Sequence, residues 1–327
     1  MPAAITHYLF AKACADAMEG SDVLTSINQH RDVFYLGAQG PDILFFALGN
    51  KPLNQLGESI HREGINRFFA ECINRVRRTA SYEGKHEITA YLAGFLCHYA
   101  LDTCTHPYIY YKTGFSDEEG NLIGESVKRH HFLETTIDCI LSKNIEDKNA
   151  YSINIAKKIF VGKKKRALIG QFLSEMIDAS YHVFMYPEDY IKAMKDTVFI
   201  YRILRDKTGG KRKFFRALGK VNKTAAEASS LIHYEPVERL DYLNELHGVW
   251  YYPWDDFIDL NFSFMDLYNK AIEDSRIYIN AFMKAINKQL ADKTALSILG
   301  DKNFSTGLES PVKFLYYNIE INKFLKE

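Results

Sequence analysis

The chain has 327 residues, of which 47% are hydrophobic and 25% charged, a composition typical of packed globular proteins that excludes collagen-like, low-complexity and disordered classes. Its 41 basic residues balance 41 acidic residues, so the net charge is zero and any polyanion would have to bind at a local patch. The five cysteines contain no Cys-x-x-Cys pair, which argues against a disulfide framework or a thiolate zinc site.

The amino-terminal segment does not resemble a secretory signal. No basic residue precedes its apolar residues, and His7, Lys12 and Asp16 interrupt what would have to be a continuous apolar run. Further along, no stretch approaches the roughly 18 consecutive apolar residues of a membrane span. We therefore expect a cytoplasmic protein without a transmembrane segment.

Apolar residues recur at three- and four-residue spacing, whereas strict alternation is rare, so the sequence predicts an all-α fold built as a multi-helix bundle. The predicted helices span, in chain order, 5–19, 62–80, 86–105, 126–144, 165–184, 188–206, 212–232 and 262–291. We interpret residues 1–327 as a single all-α domain, in which 1–145 carry the candidate site and 146–327 form a helical half of unclear role.

Two further features permit two interpretations each. The basic clusters at 157–166 and 202–216 could contact phosphate groups, but solvated helix faces are more common in a neutral protein, and we expect no stable complex with nucleic acid. The segment Trp250-Tyr-Tyr-Pro-Trp254 could form an aromatic cage for a quaternary ammonium group, although packing is the more common role of such clusters.

The clearest functional signal is a histidine and carboxylate pair at 98 and 102. On a helix, His98 and Asp102 project from one face about a turn apart, so together they could hold one metal ion. His106 lies four residues further on, and Pro107 is expected to direct it out of the helix, where it could serve a second ion.

A second segment repeats this pattern. His130 and Glu134 are again four residues apart, and Asp138 continues their face by one more turn. Apolar residues flank both segments, so these ionisable groups are expected to be buried and to need a partner or a metal. A hydrogen-bonded core histidine is the usual alternative, but imidazole and carboxylate groups in two such pairs favour Zn²⁺, with Fe, Mn and Ni not excluded.

Five segments taken in order resemble the bacterial zinc-dependent phospholipase C family and, more distantly, the fungal zinc nucleases that share its fold. These segments are 5–9 with His7, Gly40-Pro41-Asp42, 59–61 with His61, 91–102 with His98 and Asp102, and 130–138 with His130 and Glu134. The resemblance covers about residues 5 to 142 and implies a helical bundle with two or three clustered zinc ions.

The resemblance also implies a ligand set for each ion. One zinc would be bound by Asp42, His61, His98 and Asp102, a second by His106, His130 and Glu134, and a third by His7, Asp102 and the terminal amine, which would belong to Pro2 after removal of Met1.

These expectations together give a functional hypothesis. The protein would be a zinc-dependent phosphodiesterase of phospholipase C type, in which a metal-activated water attacks phosphorus and Asp42 acts as general base. Its partner would be a phosphoester substrate such as a phospholipid headgroup. Two alternatives stay open, namely a helical binding protein whose metal only stabilises the fold, and a zinc nuclease or nucleotidase.

Overall fold

The computed structural model describes residues 4–18, 20–115, 117–122, 125–236 and 240–315. In these ranges the protein is helical apart from one small antiparallel sheet, so the predicted all-α class is confirmed. The helices are α1 Ala4–Asp16, α2 Asp22–Gln29, α3 Arg31–Gly37, α4 Lys51–Arg62, α5 Ile65–Arg78, α6 Tyr82–Thr113, α7 Glu125–Glu146, α8 Ile155–Lys158, α9 Lys163–Tyr181, α10 Pro187–Leu204, α11 Gly210–Leu218, α12 Lys223–Ser230, α13 Phe264–Ile286 and α14 Asp292–Leu299.

The remaining elements are short. Two 3-10 helices span Gly40–Phe46 and Ala150–Ser152, and strands β1 Trp250–Tyr252 and β2 Asp255–Leu260 pair in the sheet. Among the helices just given, none has the combination of length and apolarity needed to cross a bilayer.

The helix boundaries differ from the sequence prediction in several regions. Between 20 and 61, where no helix is predicted, the chain forms α2, α3, a 3-10 helix and α4, elements of 7 to 12 residues. The predicted helix 212–232 is divided into α11 and α12, because the Asn222 side chain accepts the Ala225 N–H at 2.9 Å and starts a new helix. The predicted helix 262–291 ends at Ile286.

Helix α6 continues through Pro107 to Thr113, so the prediction that His106 leaves the helix is wrong. Proline cannot donate a hydrogen bond to the carbonyl of Thr103, one turn earlier. Gly307 packs directly against that carbonyl, since a Cβ on Gly307 would lie 2.4 Å from the oxygen. The tertiary contact thus covers the carbonyl that proline leaves without its helical donor.

Helix α6 is the centre of the molecule, because most of its residues from Ile88 to Thr113 are buried. It packs against α3 and α13 over most of its length and also contacts α1, α2 and α7. The apolar core around it includes side chains from Ala4 to Phe304, so the carboxyl-terminal part of the chain packs against the same core as the amino-terminal part.

Helices α3 and α6 cross at backbone contact distance. A Cβ on Gly94 of α6 would lie 2.1 Å from the carbonyl oxygen of Phe34 and 2.7 Å from the nitrogen of Ala38. Only glycine fits at this position, because any side chain would overlap backbone atoms that cannot rotate away. The close crossing places the end of α3 beside His98.

We expect Gly94→Ala to lower the free energy of unfolding by about 3 kcal/mol, since α3 must move away from α6 to accommodate the methyl group. Urea denaturation of the purified protein measures the change. The matched control is Gly84→Ala in the same helix, where the nearest atoms to the new Cβ lie at 3.4 Å. This control should leave stability unchanged or raise it by up to about 1 kcal/mol, and equal effects of both substitutions would contradict the account.

Candidate metal centre

Asp102 is the centre of a buried cluster of histidines. Its side chain lies on α6 and is 3% exposed as a residue. Oδ1 is 3.3 Å from Nε2 of His7 on α1, and Oδ2 is 3.1 Å from Nε2 of His98 one turn earlier. Oδ2 is also 4.0 Å from Nε2 of His61 and 3.8 Å from Nδ1 of His106. One carboxylate therefore contacts imidazoles from three helices.

Two further carboxylates extend the cluster on either side. Asp42, in the first turn of the 3-10 helix Gly40–Phe46, has Oδ1 at 3.1 Å from Nε2 of His61 near the end of α4. Glu134 on α7 has Oε1 at 3.1 Å from Nε2 of His130 and 3.5 Å from Nε2 of His106. The structure thus brings together all eight side chains that the sequence analysis proposed as ligands.

The potential ligand atoms fall into three groups whose members lie within 4.8 Å of one another. The groups are His7, Asp42 and His98; His61, His98 and Asp102; and His106, His130 and Glu134. Two atoms bound to zinc at about 2.0–2.2 Å with a tetrahedral angle are roughly 3.3–3.6 Å apart. The contacts of 3.1 to 3.5 Å between histidine and carboxylate agree with that spacing.

A fourth group lies apart from this centre. It contains His30, Glu83 and Glu87, and Glu83 precedes His98 by about four turns of α6. The Glu83 side chain is 67% exposed, whereas the His30 side chain is buried.

Backbone carbonyls orient three of the histidines. In each case the ring Nδ1 faces a carbonyl oxygen, so Nδ1 carries a proton and Nε2 is directed into the cluster. The pairs are His61 with Gly57 at 2.7 Å, His98 with Ala38 at 3.3 Å, and His106 with Phe304 at 3.1 Å. This tautomer is the one in which Nε2 can bind a metal.

The polar atoms of the cluster fit a bound cation. Nε2 of His98 is buried and makes no hydrogen bond among the described residues, although it lies 3.1 Å from Asp102 Oδ2. Nδ1 of His7 and Nδ1 of His130 are likewise buried without a hydrogen-bond partner in this part of the chain. Leaving such an atom unsatisfied costs about 1–3 kcal/mol, and a metal bound to the cluster would remove that cost at His98.

The electrostatic environment keeps the three carboxylates ionised. Burial by itself would raise the pKa of Asp102, but the imidazoles of His98, His106 and His7 hold this pKa well below its usual value. Burial likewise opposes ionisation of Glu134, whose pKa is nevertheless held well below its usual value by His130 and His106. Charged carboxylates are the form that binds a divalent cation.

The protein lowers the pKa of some histidines of the cluster and raises the pKa of others. Burial lowers the pKa of His98 and His130, so both are neutral at neutral pH. Burial would also lower the pKa of His106, but the charges of Asp102 and Glu134 raise it to about 9. The pKa of His7 is raised too, because Asp102 outweighs the effect of burial. At neutral pH a metal would therefore have to displace a proton from His106.

Asp138 belongs to none of the three ligand groups and instead binds residues at the start of α1. Its carboxylate accepts the N–H of Ile5 at 3.2 Å and the N–H and hydroxyl of Thr6, both at 2.7 Å, and it contacts His233 Nε2 at 2.9 Å. Asp138 thus binds the amino-terminal turn of α1 to α7. Because His7 follows directly, this contact positions the His7 imidazole beside Asp102.

Sequence reasoning missed the contribution of the segment 303–308. The N–H of Phe304 donates to the carbonyl of His61 at 2.8 Å, while the Phe304 carbonyl accepts from His106. Ser305 lines the cavity and its hydroxyl lies 3.3 Å from that of Tyr110. A loop some 200 residues away along the chain gives no local signal of this role, which depends on tertiary packing.

The cluster forms the floor of a cavity of about 300 Å³. At its rim lie two exposed charged residues of α4, Glu58 and Arg62. The Arg62 guanidinium donates to Oδ1 of Asn121 at 2.5 Å, and Asn121 in turn donates to Asp117 at 2.7 Å. The cavity is therefore large enough for a small polar group and has a fixed cation at its entrance.

The aromatic segment 250–254 lies elsewhere. Trp250 is buried, its indole N–H donates to the carbonyl of Phe262 at 3.0 Å, and its ring packs against Tyr108. Neither tryptophan lines the cavity above the cluster. These contacts are those of packing, the role that the sequence analysis favoured.

The fold and the cluster together define an all-α protein with a candidate metal centre of histidine and carboxylate groups. A family model described as zinc dependent phospholipase C matches residues 6–183, and the chain belongs to this family. The match spans α1 to α9 and includes all eight residues of the cluster. Searches of curated proteins and of solved structures gave no match.

We expect Asp102→Asn to lose at least one equivalent of bound zinc per chain, because the substitution removes the charge shared by the surrounding histidines while preserving side-chain size. Elemental analysis of gel-filtered protein gives the zinc content. The control is Asp274→Asn on α13, whose carboxylate pairs with Lys270 at 2.5 Å and should not affect zinc. Full zinc content in the Asp102 variant would exclude the proposed ligand set.

We also expect zinc affinity to rise with pH between 6 and 9, by up to about tenfold per pH unit for each proton displaced. The reason is that the pKa of His106 is about 9, so its ring is protonated in the metal-free protein until the pH passes that value. Competition with a coloured chelator measures the affinity. His131→Asn should leave the slope unchanged, because burial lowers the pKa of His131 to about 3; a flat profile for the native protein would contradict this account.

Proposed function

We propose that the protein is a zinc-dependent phosphodiester hydrolase of phospholipase C type that binds two or three zinc ions. The observation that supports this most directly is that His98 belongs to two of the three ligand groups. The third group begins at His106, which follows Asp102 by one turn of α6. A structural zinc site closes its shell with four ligands. Eight clustered ligands exceed that number and suit several neighbouring ions.

Clustered zinc ions, when bound, would neutralise the phosphate oxygens, lower the pKa of a water molecule and stabilise the departing oxygen. The protein positions the side chains that would bind these ions around the cavity. The cavity is lined by Asp42, His61 and Asp102, of which His61 contacts both carboxylates, and by Glu134 and His130, which contact each other. A phosphodiester bound between them would have ligands of different ions on both sides.

Asp42 is the proposed general base. Its carboxylate lines the cavity, and the imidazoles of His98 and His61 hold its pKa below the usual value although burial acts to raise it. It is therefore ionised at neutral pH and can accept a proton. As the water oxygen bonds to phosphorus and the bond to the departing alcohol oxygen breaks, Asp42 would receive the water proton.

Arg62 supports an anionic substrate. Its guanidinium presents hydrogen-bond donors in a fork that matches phosphate oxygens, and its contact with Asn121 keeps it at the rim of the cavity. A phosphodiester carries one negative charge at its centre, and Arg62 could attract it or contact a second oxygen of the headgroup.

We expect the zinc-loaded protein to hydrolyse a chromogenic phosphodiester such as bis(p-nitrophenyl) phosphate, and chelation to abolish the activity reversibly. Asp42→Asn should lower kcat by at least about 100-fold, the usual contribution of general base catalysis and ion positioning. Initial rates and zinc content are to be measured on the same samples. Asp274→Asn again serves as the matched control.

The result that would refute the proposal is tightly bound zinc without hydrolysis of phosphodiesters or phosphomonoesters. That outcome would favour the helical binding protein whose metal only stabilises the fold. Hydrolysis of single-stranded nucleic acid but not of lipid headgroup diesters would favour the zinc nuclease instead.

A further inference from the structure

Helix α11 carries large apolar side chains on the protein surface. None of its residues is buried. Phe214 is 63% exposed, Leu218 is 40% exposed, and Val221 in the turn that follows is 87% exposed. At helical spacing of four and three residues these side chains lie on one face. We call Phe214, Leu218 and Val221 the apolar crest.

Contacts on the opposite side of α11 show that the crest faces away from the protein. The Arg212 guanidinium stacks on the ring of Tyr234, 3.6 Å from the ring centroid, and the backbone N–H of Arg212 donates to the Asp206 carboxylate at 2.9 Å. Gly219 approaches α12 so closely that a Cβ there would lie 2.8 Å from Cα of Ala226. These contacts fix α11 by the face that carries Arg212, which leaves the crest in solvent.

Basic residues surround the crest. Residues 207–226 include seven lysines and arginines and no acidic residue. Lys213 and Lys220 are exposed on one side of the crest, and Lys211 is exposed on the other, where its Nζ donates to the carbonyl of Ile203 at 2.7 Å. Apolar side chains bordered by lysines are the arrangement of helices that lie in the interface of an anionic bilayer.

The crest lies close to the metal centre. Along the start of α7, Val127 and His131 line the metal cavity, whereas Lys128 and Phe132 line a second cavity of about 310 Å³. We call residues 207–226 the α11 region. The other wall of that second cavity is formed by three of its residues, Arg212, Arg216 and Lys220. Helix α11 is therefore separated from the metal cavity by α7, the width of one helix or about 10 Å.

We propose that the α11 region is a membrane-docking element that binds the surface of a bilayer containing anionic phospholipid, with the crest inserted among the headgroups and the lysines contacting their phosphates. The bilayer is the occupant that matches both the apolar crest and the surrounding positive charge. Docking itself does not require hydrolysis. Its benefit for catalysis, the delivery of lipid headgroups to the metal cavity, rests on the proposed function.

The test uses the full-length, zinc-loaded protein and sedimentation with vesicles of phosphatidylcholine, with and without 30% phosphatidylserine. We expect binding that requires the anionic lipid and that falls at least tenfold between about 0.05 and 0.5 M salt. The double substitution Phe214→Ser with Leu218→Ser should weaken binding at least tenfold, and so should Lys213→Glu with Lys220→Glu.

Matched controls come from elsewhere on the surface. Phe257 is 94% exposed on β2, but its neighbours Asp255, Asp256 and Asp259 are acidic, so Phe257→Ser should bind vesicles like the native protein. Lys284→Glu near the end of α13 changes charge by the same sign and should have little effect. Unchanged binding by the crest variants, or binding that ignores the anionic lipid, would overturn the proposal. So would self-association through the crest without vesicle binding, shown by light scattering.

The hydrolytic readout separates this inference from the proposed function. The crest variants should hydrolyse a soluble chromogenic diester as fast as the native protein and lose at least tenfold of their rate on vesicle lipid. If the native protein hydrolyses neither substrate, the proposed function fails, and sedimentation alone decides whether α11 docks. If the crest variants hydrolyse both the soluble diester and the vesicle lipid more slowly, to the same extent, the substitutions have disturbed the fold and the docking proposal fails.

Discussion

A carboxylate as deeply buried as that of Asp102 must have partners from other parts of the chain, because an unpaired charge in the core costs several kcal/mol. Histidines of α1, α4 and α6 provide these partners. The fold must therefore hold several distant segments in register around one side chain. The same requirement makes the centre suitable for divalent cations, since clustered carboxylates and imidazoles are the groups that coordinate them once deprotonated.

The backbone completes this arrangement. The close crossing at Gly94 places the Ala38 carbonyl against the His98 ring, and the positive φ of Gly40 lets the chain turn over that ring, where a Cβ would lie 2.4 Å away. The loop containing Phe304 contacts both His61 and His106. Rigid glycine crossings and carbonyl contacts fix the direction of each Nε2, which is the condition for a preorganised metal centre.

The charge of this protein is unevenly distributed, so local surfaces can attract anions although the net charge is zero. Over the whole chain the charges of basic and acidic residues cancel. Arg62 nevertheless lies at the rim of the metal cavity, and all charged residues of the α11 region are basic. The acidic β1–β2 hairpin, which contains Asp255 and Asp256, carries part of the compensating charge. Local fields of this kind act within about one Debye length, roughly 8–10 Å, so they matter at a surface even when the net charge is zero.

The sequence by itself determined the helical class and the pairs His98 with Asp102 and His130 with Glu134, because helical spacing fixes which side chains share a face within one or two turns. The recognisable order of its motifs also indicated the family. The family resemblance implied that His7, Asp42 and His61 join these pairs, and the tertiary structure shows the contacts that bring them there. Only the tertiary structure decided that Pro107 stays within α6 and that Asp138 anchors α1. Periodicity describes interactions over a few residues, whereas the convergence of separate segments depends on how buried surfaces and backbone groups pack across the whole chain.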